Sequence, residues 1–468
     1  MMTGNLYTII AFVLATSFAG FNIVIAYDRK DILSEPELAG LAYLFGIGAI
    51  ALELFLFGLF KMKFVTAHIL LPWVLLAIIN IPRFKARFRK NNAIRPAILK
   101  IKLPEMIIAA LLIFVVCYAF FIALIRPVES YDAVAIWSLK AKVIYMAGTV
   151  PPDFFNIIGA GYQGAHPDYP LLLPLSQVWF YTFIGNFNDH LVKVLFPLNF
   201  LAFLIVFYMF LRKAGAERIF AMIFTFLLAS VRQFFNYATN GYADMQIAIY
   251  ASLTFLALYL WIKTKSNVYF WTAFFACLFA MWTKNEGSVV FLSFVAVLFI
   301  YMTAQIRSYG KIVSSYGSIL FATALLSGLL IAWSLFKGIV NVQNDVVNAQ
   351  SFATLDITEI FKRALAIFYE YQRQAFGVKY WNLTWVAFIF MIIAGFGRMI
   401  SEDAKYVVIP VFFILACYTA VYFITPNDIG WQLRTTTSRL LLHVLPLVIF
   451  YLALSFAWFI PGRRDTDE

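Results

Sequence analysis

Apolar runs of about 20 residues recur along the chain, the length at which a helix crosses a bilayer. PEMIIAALLIFVVCYAFFIALI, residues 104–125, is one of them. In lipid each backbone N–H and C=O must be satisfied within its own segment, so repeated runs of this length specify a bundle of transmembrane helices. Composition agrees: 63% of the 468 residues are hydrophobic and 13% are charged, against about a quarter charged in soluble domains. The expectation is an all-α polytopic membrane protein of about 13 transmembrane helices, with interfacial helices in the first long loop. The spans are expected near 5–27, 38–60, 64–82, 104–125, 190–211, 219–235, 245–262, 268–284, 288–304, 315–335, 383–400, 406–424 and 440–460. The first run is long and lacks a basic flank and a small-residue cleavage site, so it reads as a span and not as a cleavable signal peptide.

The net charge of +12 would suggest nucleic acid in a soluble protein. Here the cations lie in loops between spans, where Lys and Arg anchor the cytoplasmic side. RFKARFRKNNAIRPAILKIK, residues 83–102, holds eight Lys or Arg and no acid. From that loop the sides alternate, and RKAGAER, KTKSN, QIRSYGK, RMISEDAK and the tail PGRRDTDE all fall inside. Counting backwards places the N-terminus outside and strands Lys61 and Lys63 on the outer side. Cys117, Cys277 and Cys417 sit within apolar runs without metal-ligand spacing. They read as small core hydrophobes, with no disulfide framework.

The opposite face receives residues 126–189, the joints NYATNGYAD and TKNEG, the loop 336–382 and TPNDIGWQLRTTTSR. Within the first, YPLLLPLSQVWFYTFIG (169–185) reads as a helix lying in or dipping into the outer interface, rich in Trp and Tyr. If it crossed, every later basic loop would face out. In the loop 336–382, LDITEIFKRALAIFYEYQRQ reads as a second surface helix, capped by Thr354 or Asp356.

Ionisable groups at or in a membrane are costly and often mark function. On the outer face they are Asp132, His166, Asp168, Arg232, Asp244, Lys284, Glu286, Arg434 and Arg439. Asp132, in ESYDAVAIW beside Tyr131, is a general base, a carboxylate orienting a nucleophile, or the cap of the following helix. His166 and Asp168, in GAHPDYPLLLPL, suit a phosphate or metal, or belong to a turn built by Pro167 and Pro170. Asp244 opens a span, where the helix dipole alone favours a carboxylate. Lys284 interrupts an apolar stretch, with Asn285, Glu286 and Gly287 able to supply a simple turn. Its outer position runs against the charge rule and points to a partner such as a phosphate or Asp244. Arg434 and Arg439 flank a Thr/Thr/Thr/Ser run that suits bidentate phosphate binding, or snorkel to headgroups, and Arg232 has the same two readings, donor phosphate or headgroup. No phosphate-binding glycine loop, nucleophile elbow or extended metal motif occurs, and nothing supports nucleic-acid binding.

ESYDAVAIW after one span, HPDYPLLLPL before a helix, GYAD opening a later span and then TKNEG resemble the GT-C integral membrane glycosyltransferases. The resemblance is to the branch of the protein O-mannosyltransferases and the lipid A aminoarabinose transferase. It covers about residues 104–460, with residues 1–103 as additional N-terminal helices and a basic loop, and 461–468 as a cytoplasmic tail. It implies an enzyme of the cell membrane that moves a sugar, with inversion, from a polyprenyl-phosphate donor to a glycan, lipid or protein acceptor on the outer face. Asp132 matches the family's essential acid of the first outer loop, and Asp244 its second aspartate. Ala133 stands where the usual pattern has a second acid. His166 corresponds to a basic residue before the interface helix, with His in place of Lys. Lys284 matches a Thr-Lys-Gly segment with Asn and Glu inserted. Arg434 and Arg439 have no counterpart.

The chemistry of such a site is consistent with these residues. Lys284, Arg434, Arg439 or His166 would stabilise the leaving phosphate and Asp132 would take the acceptor proton. The chain has 51 Phe and 25 Tyr to line a prenyl groove. No cofactor is required, although Asp132, His166, Asp168 and Asp244 are ligands a divalent metal could use. A transporter or flippase of lipid-linked sugars would share the bundle, groove and cations, but internal repeats and midplane breaks are its usual signs. A non-catalytic scaffold is a third class, against which the long outer loop argues.

Overall fold

A computed structural model describes residues 2–93, 101–161, 164–309, 316–342, 357–456 and 458 of the chain. The expected caps Thr354 and Asp356 and the tail 461–468 lie outside the described residues. Every regular element among the described residues is helical.

Four long helices open the chain: α1 (Met2–Tyr27), α2 (Glu35–Leu59), α3 (Thr66–Ala93) and α4 (Leu103–Ile125). Short elements follow: a π-helical turn at Ala133–Ser138, α5 (Leu139–Ala147), α6 (Phe154–Gly161), α7 (Leu172–Ile184) and a 3-10 turn at Leu191–Val194. Next come α8 (Leu195–Lys213), α9 (Arg218–Ser230), α10 (Arg232–Tyr237), α11 (Asp244–Thr264), α12 (Asn267–Thr283), α13 (Gly287–Tyr309) and α14 (Tyr316–Ile339). The chain continues through α15 (Ile357–Ala375), α16 (Val378–Trp381), α17 (Thr384–Ala394), α18 (Phe396–Ser401), α19 (Lys405–Ile424) and α20 (Ile429–Phe456).

Ten helices among the described residues are long and apolar enough to cross a membrane. Three expected spans fall on shorter helices: α9 with 13 residues, α12 with 17 and α17 with 11. The run expected as one span at 219–235 breaks at Val231, whose extended backbone (ψ 116°) turns the chain into α10. The run 383–400 breaks at Gly395 between α17 and α18.

The run expected as an interface helix, 169–185, forms α7 and lies inside protein. Residues 172–181 of α7 are all buried, enclosed by α1, α2, α5 and α12. Trp179 donates Nε1–H to Thr16 Oγ1 at 2.9 Å. A helix apolar on every side belongs inside protein, because it has no polar face to offer water. The second surface helix does form, as α15.

The N-terminal helices join the same continuous core. Where α1 crosses α2, a Cβ on Gly20 would lie 1.9 Å from the Ala42 carbonyl oxygen, and one on Gly46 1.9 Å from that of Thr16. Only glycine lets the two backbones approach so closely, as is usual for helices packed in lipid. At the centre stands α11, with residues 244–262 all buried.

Contacts between loops define two ends of the bundle. At one, Arg87 pairs with Asp28 at 3.0 Å, Lys213 with Glu37 at 3.8 Å and Arg218 with Glu105 at 2.6 Å, and Lys263 donates to the Ala214 carbonyl at 2.6 Å. These are the loops expected on the basic side. Asp244, at the far end of α11 from Lys263, therefore lies at the other end. Lys63 is there too, donating to the Ala147 carbonyl at 2.9 Å.

Candidate functional site

Four separate segments bring charged groups together at the end opposite the basic loops. Asp244, the first residue of α11, is fully buried and is the hub. Arg439 Nη2 lies 3.2 Å from its Oδ2, Lys284 Nζ 3.1 Å from its Oδ1, and His443 Nε2 3.2 Å from its Oδ1. Arg439 and His443 are four residues apart on α20 and so share one face. The other ring nitrogen, His443 Nδ1, is 3.0 Å from the Tyr418 hydroxyl of α19.

Asp132 completes the cluster. Its backbone is α-helical (φ −66°, ψ −32°) and its side chain makes no cap hydrogen bond, so the cap role does not apply. Its Oδ2 instead lies 2.7 Å from Arg439 Nη1. Next to it the chain winds into a π-helical turn, a form that recurs at functional sites. The same turn explains Ala133, which is fully buried. A Cβ on Gly241, which has φ +92°, would sit 2.9 Å from the Ala133 Cβ. A second acid at 133 would have no room.

Lys284 ends α12 and is 2% exposed. It bridges Asp244 and Glu286, the latter at 2.8 Å, and lies over the Tyr169 ring at 5.8 Å. Burial works against the Lys284 ammonium, but Asp244 and Glu286 outweigh it and hold its pKa above the ordinary value. Burial likewise opposes the Glu286 carboxylate, and Lys284 with His443 holds it below the ordinary range. The turn that places them needs Gly287: a Cβ there would fall 2.0 Å from the Ala280 carbonyl oxygen. Glu286 Oε2 is buried with no hydrogen-bond partner among the described residues.

A second layer braces this centre. Asn285 Nδ2 donates to Asp168 Oδ2, and Asp168 is 1% exposed. The loop around His166 is gathered by Lys140, whose Nζ donates to the His166 carbonyl at 2.5 Å and which is fully buried. Lys140 also lies 5.7 Å from each of the Trp137 and Tyr169 ring centroids. Burial pushes the Lys140 ammonium down to about 7, with Asp168 pulling the other way.

Asp132, Asp244, Lys284, Glu286, Arg439 and, through Asn285, Asp168 are thus drawn together. Of the other expected residues, Arg232 and Arg434 make no ion pair with this cluster among the described residues. The His166 imidazole stacks on Tyr169 at 4.9 Å. Tyr131 is 66% exposed, its hydroxyl near Gly164. Arg232 is exposed at the start of α10 and pairs with no carboxylate among the described residues. Arg434 lines a cleft with Arg373 and Tyr369 between α15 and α20. Among the described residues no three His, Cys, Asp or Glu side chains form a metal-binding group.

The signal for His443 was in the sequence, as an ionisable residue four positions after Arg439 inside an apolar run. Lys140 carried a weaker one, alternating with apolar neighbours in SLKAKVIYMAG. No protein-family model, curated protein or solved structure matches the chain.

Proposed function

We propose that the protein transfers a sugar from a polyprenyl-phosphate carrier to an acceptor hydroxyl at the outer membrane face, with inversion. The observation that carries this reading is the Arg439 bridge between Asp132 and Asp244. Three carboxylates here meet two permanent cations, so the resting cluster has no surplus positive charge. The Asp132–Arg439 contact is reachable, with 17% and 18% of those side chains exposed, whereas Asp244 and Lys284 are buried.

A donor phosphate entering at that contact competes with Asp132 for the guanidinium. Arg439 keeps Asp244 as its buried anchor and turns Nη1 to the phosphate. Asp132 is then a free carboxylate beside the reaction centre. It takes the proton of the acceptor hydroxyl while the oxygen attacks the anomeric carbon from the face opposite the phosphate. The bond from the anomeric carbon to the phosphate oxygen breaks, and the leaving dianion stays with Arg439, supported by Lys284 through the shared hub. His443 and Tyr418 hold Asp244 in place.

The test is turnover. Purified protein given polyprenyl-phosphate sugars and acceptor extracts should release free polyprenyl phosphate in step with glycosylated product. A protein that moves the intact carrier between leaflets without cleaving it would be a transporter, and the transferase reading would fall.

A further inference from the structure

Amphipathic helix α15 is turned the opposite way from a helix at a water surface. Its face toward the bundle places buried polar groups, Glu370 and Gln374, beside the buried Ile367. Arg363 Nη1 donates to the Phe423 and Thr425 carbonyls at 3.0 and 2.9 Å. Glu370 accepts from Arg373 and from Gln374, each at 2.7 Å, and Gln374 accepts from Trp381 at 2.9 Å. Its outward face is apolar: Ile357, Phe361, Leu365 and Phe368 are 87%, 65%, 47% and 58% exposed. Their spacing of four, four and three puts them in one stripe. Such a stripe is unfavourable against water and stable against acyl chains.

The depth of the helix agrees. Arg363 grips the last carbonyls of α19, a helix long enough to span, which ends at Ile424. The Tyr371 hydroxyl meets Thr419 Oγ1 at 2.9 Å. So α15 leans along the final turns of a span, at the level of lipid headgroups and upper acyl chains. The edge beside the stripe is cationic, with Lys362 and Arg373 exposed. There the cleft against α20, about 720 Å³, is lined by Tyr369, Glu370, Arg373, Gly430, Leu433 and Arg434. No carboxylate among the described residues pairs with Arg434, and Arg373 is balanced by Glu370 alone.

We infer that this cleft seats the headgroup of an anionic phospholipid from the surrounding bilayer, its phosphate between Arg434 and Arg373 and its chains along Leu365 and Phe368. Arg434 is five positions from Arg439, which is about 140° around α20. A phosphate held there faces away from Asp132, so the site suits a structural lipid and not a donor presenting its sugar. The inference does not rest on the transfer reaction.

The test uses the full chain carrying Cys117→Ala, Cys417→Ala and Leu365→Cys, labelled with bimane, in nanodiscs of phosphatidylcholine with or without phosphatidylglycerol. Acyl-brominated lipid should quench the label and aqueous iodide should not. Mass spectrometry of lipid retained after detergent extraction should show phosphatidylglycerol favoured over phosphatidylcholine by about fivefold, as expected for about 1 kcal/mol from a cation at the surface. Arg434→Gln should bring that ratio near one. Iodide quenching, or an equal ratio in the unsubstituted protein, would overturn the inference. So would displacement of phosphatidylglycerol by equimolar polyprenyl phosphate, which would make the cleft a carrier site.

Discussion

Arg439 Nη1 lies 2.7 Å from Asp132 Oδ2, so an arginine of the last helix closes over the carboxylate of the first long loop. That contact joins a partly exposed carboxylate to a hub with no exposure at all. It also divides the roles of the two aspartates: Asp132 is reachable from outside the cluster, and Asp244 holds the cluster together.

The buried hub makes a stability prediction. Asp244→Ala would leave Lys284 and Arg439 facing each other without their shared carboxylate. Removing one member of a buried ion-paired set costs about 3–5 kcal/mol. Thermal or denaturant unfolding in detergent should show a loss of that order, and Asp132→Ala, whose carboxylate is partly exposed, should cost clearly less. Equal effects would mean that Asp244 is not the hub.

Lys140 gives a dependence on pH. Its pKa falls from 10.5 to about 7 in the fold. Between those values the unfolded chain binds a proton that the native protein does not, so stability rises with pH across that window. Below about 7 both states are protonated and the cost of the buried charge is present in full. Relative to Lys140→Met, the unsubstituted protein should gain about 2 kcal/mol between pH 6 and pH 8.5. The neutral amine still donates to the His166 carbonyl, so that bond survives the titration. A flat difference between the two proteins would contradict the assignment.

The division into a basic end and a candidate-site end was legible in the sequence, because Lys and Arg accumulate in alternate loops. The partners of each charge were less so. Lys284 was read toward a phosphate or Asp244, and the structure gives it Asp244 and Glu286 together. Arg434 and Arg439 were read as one pair, although five positions on a helix separate their faces. Helix α7 looked interfacial from its Trp and Tyr, yet Trp179 is spent on Thr16 inside the bundle. What sequence could not supply was which helices pack around a given segment, and that decides whether an aromatic meets lipid or protein.

Sidedness has its own test. In a chain with Cys117→Ala and Cys417→Ala, Asn186→Cys lies in the candidate-site end and Glu217→Cys in a basic loop. An impermeant thiol reagent added to intact cells should label the first and spare the second. The reverse pattern would turn the site toward the cytoplasm and remove the outer-face reading.

The most direct test of the central claim is Asp132→Asn in a turnover assay that reads polyprenyl phosphate released from a polyprenyl-phosphate sugar. The account predicts a fall of about 10²–10⁴-fold, the usual contribution of a positioned general base, in protein whose unfolding midpoint stays near that of the unsubstituted chain. Release by the Asp132→Asn protein at the unsubstituted rate would contradict it.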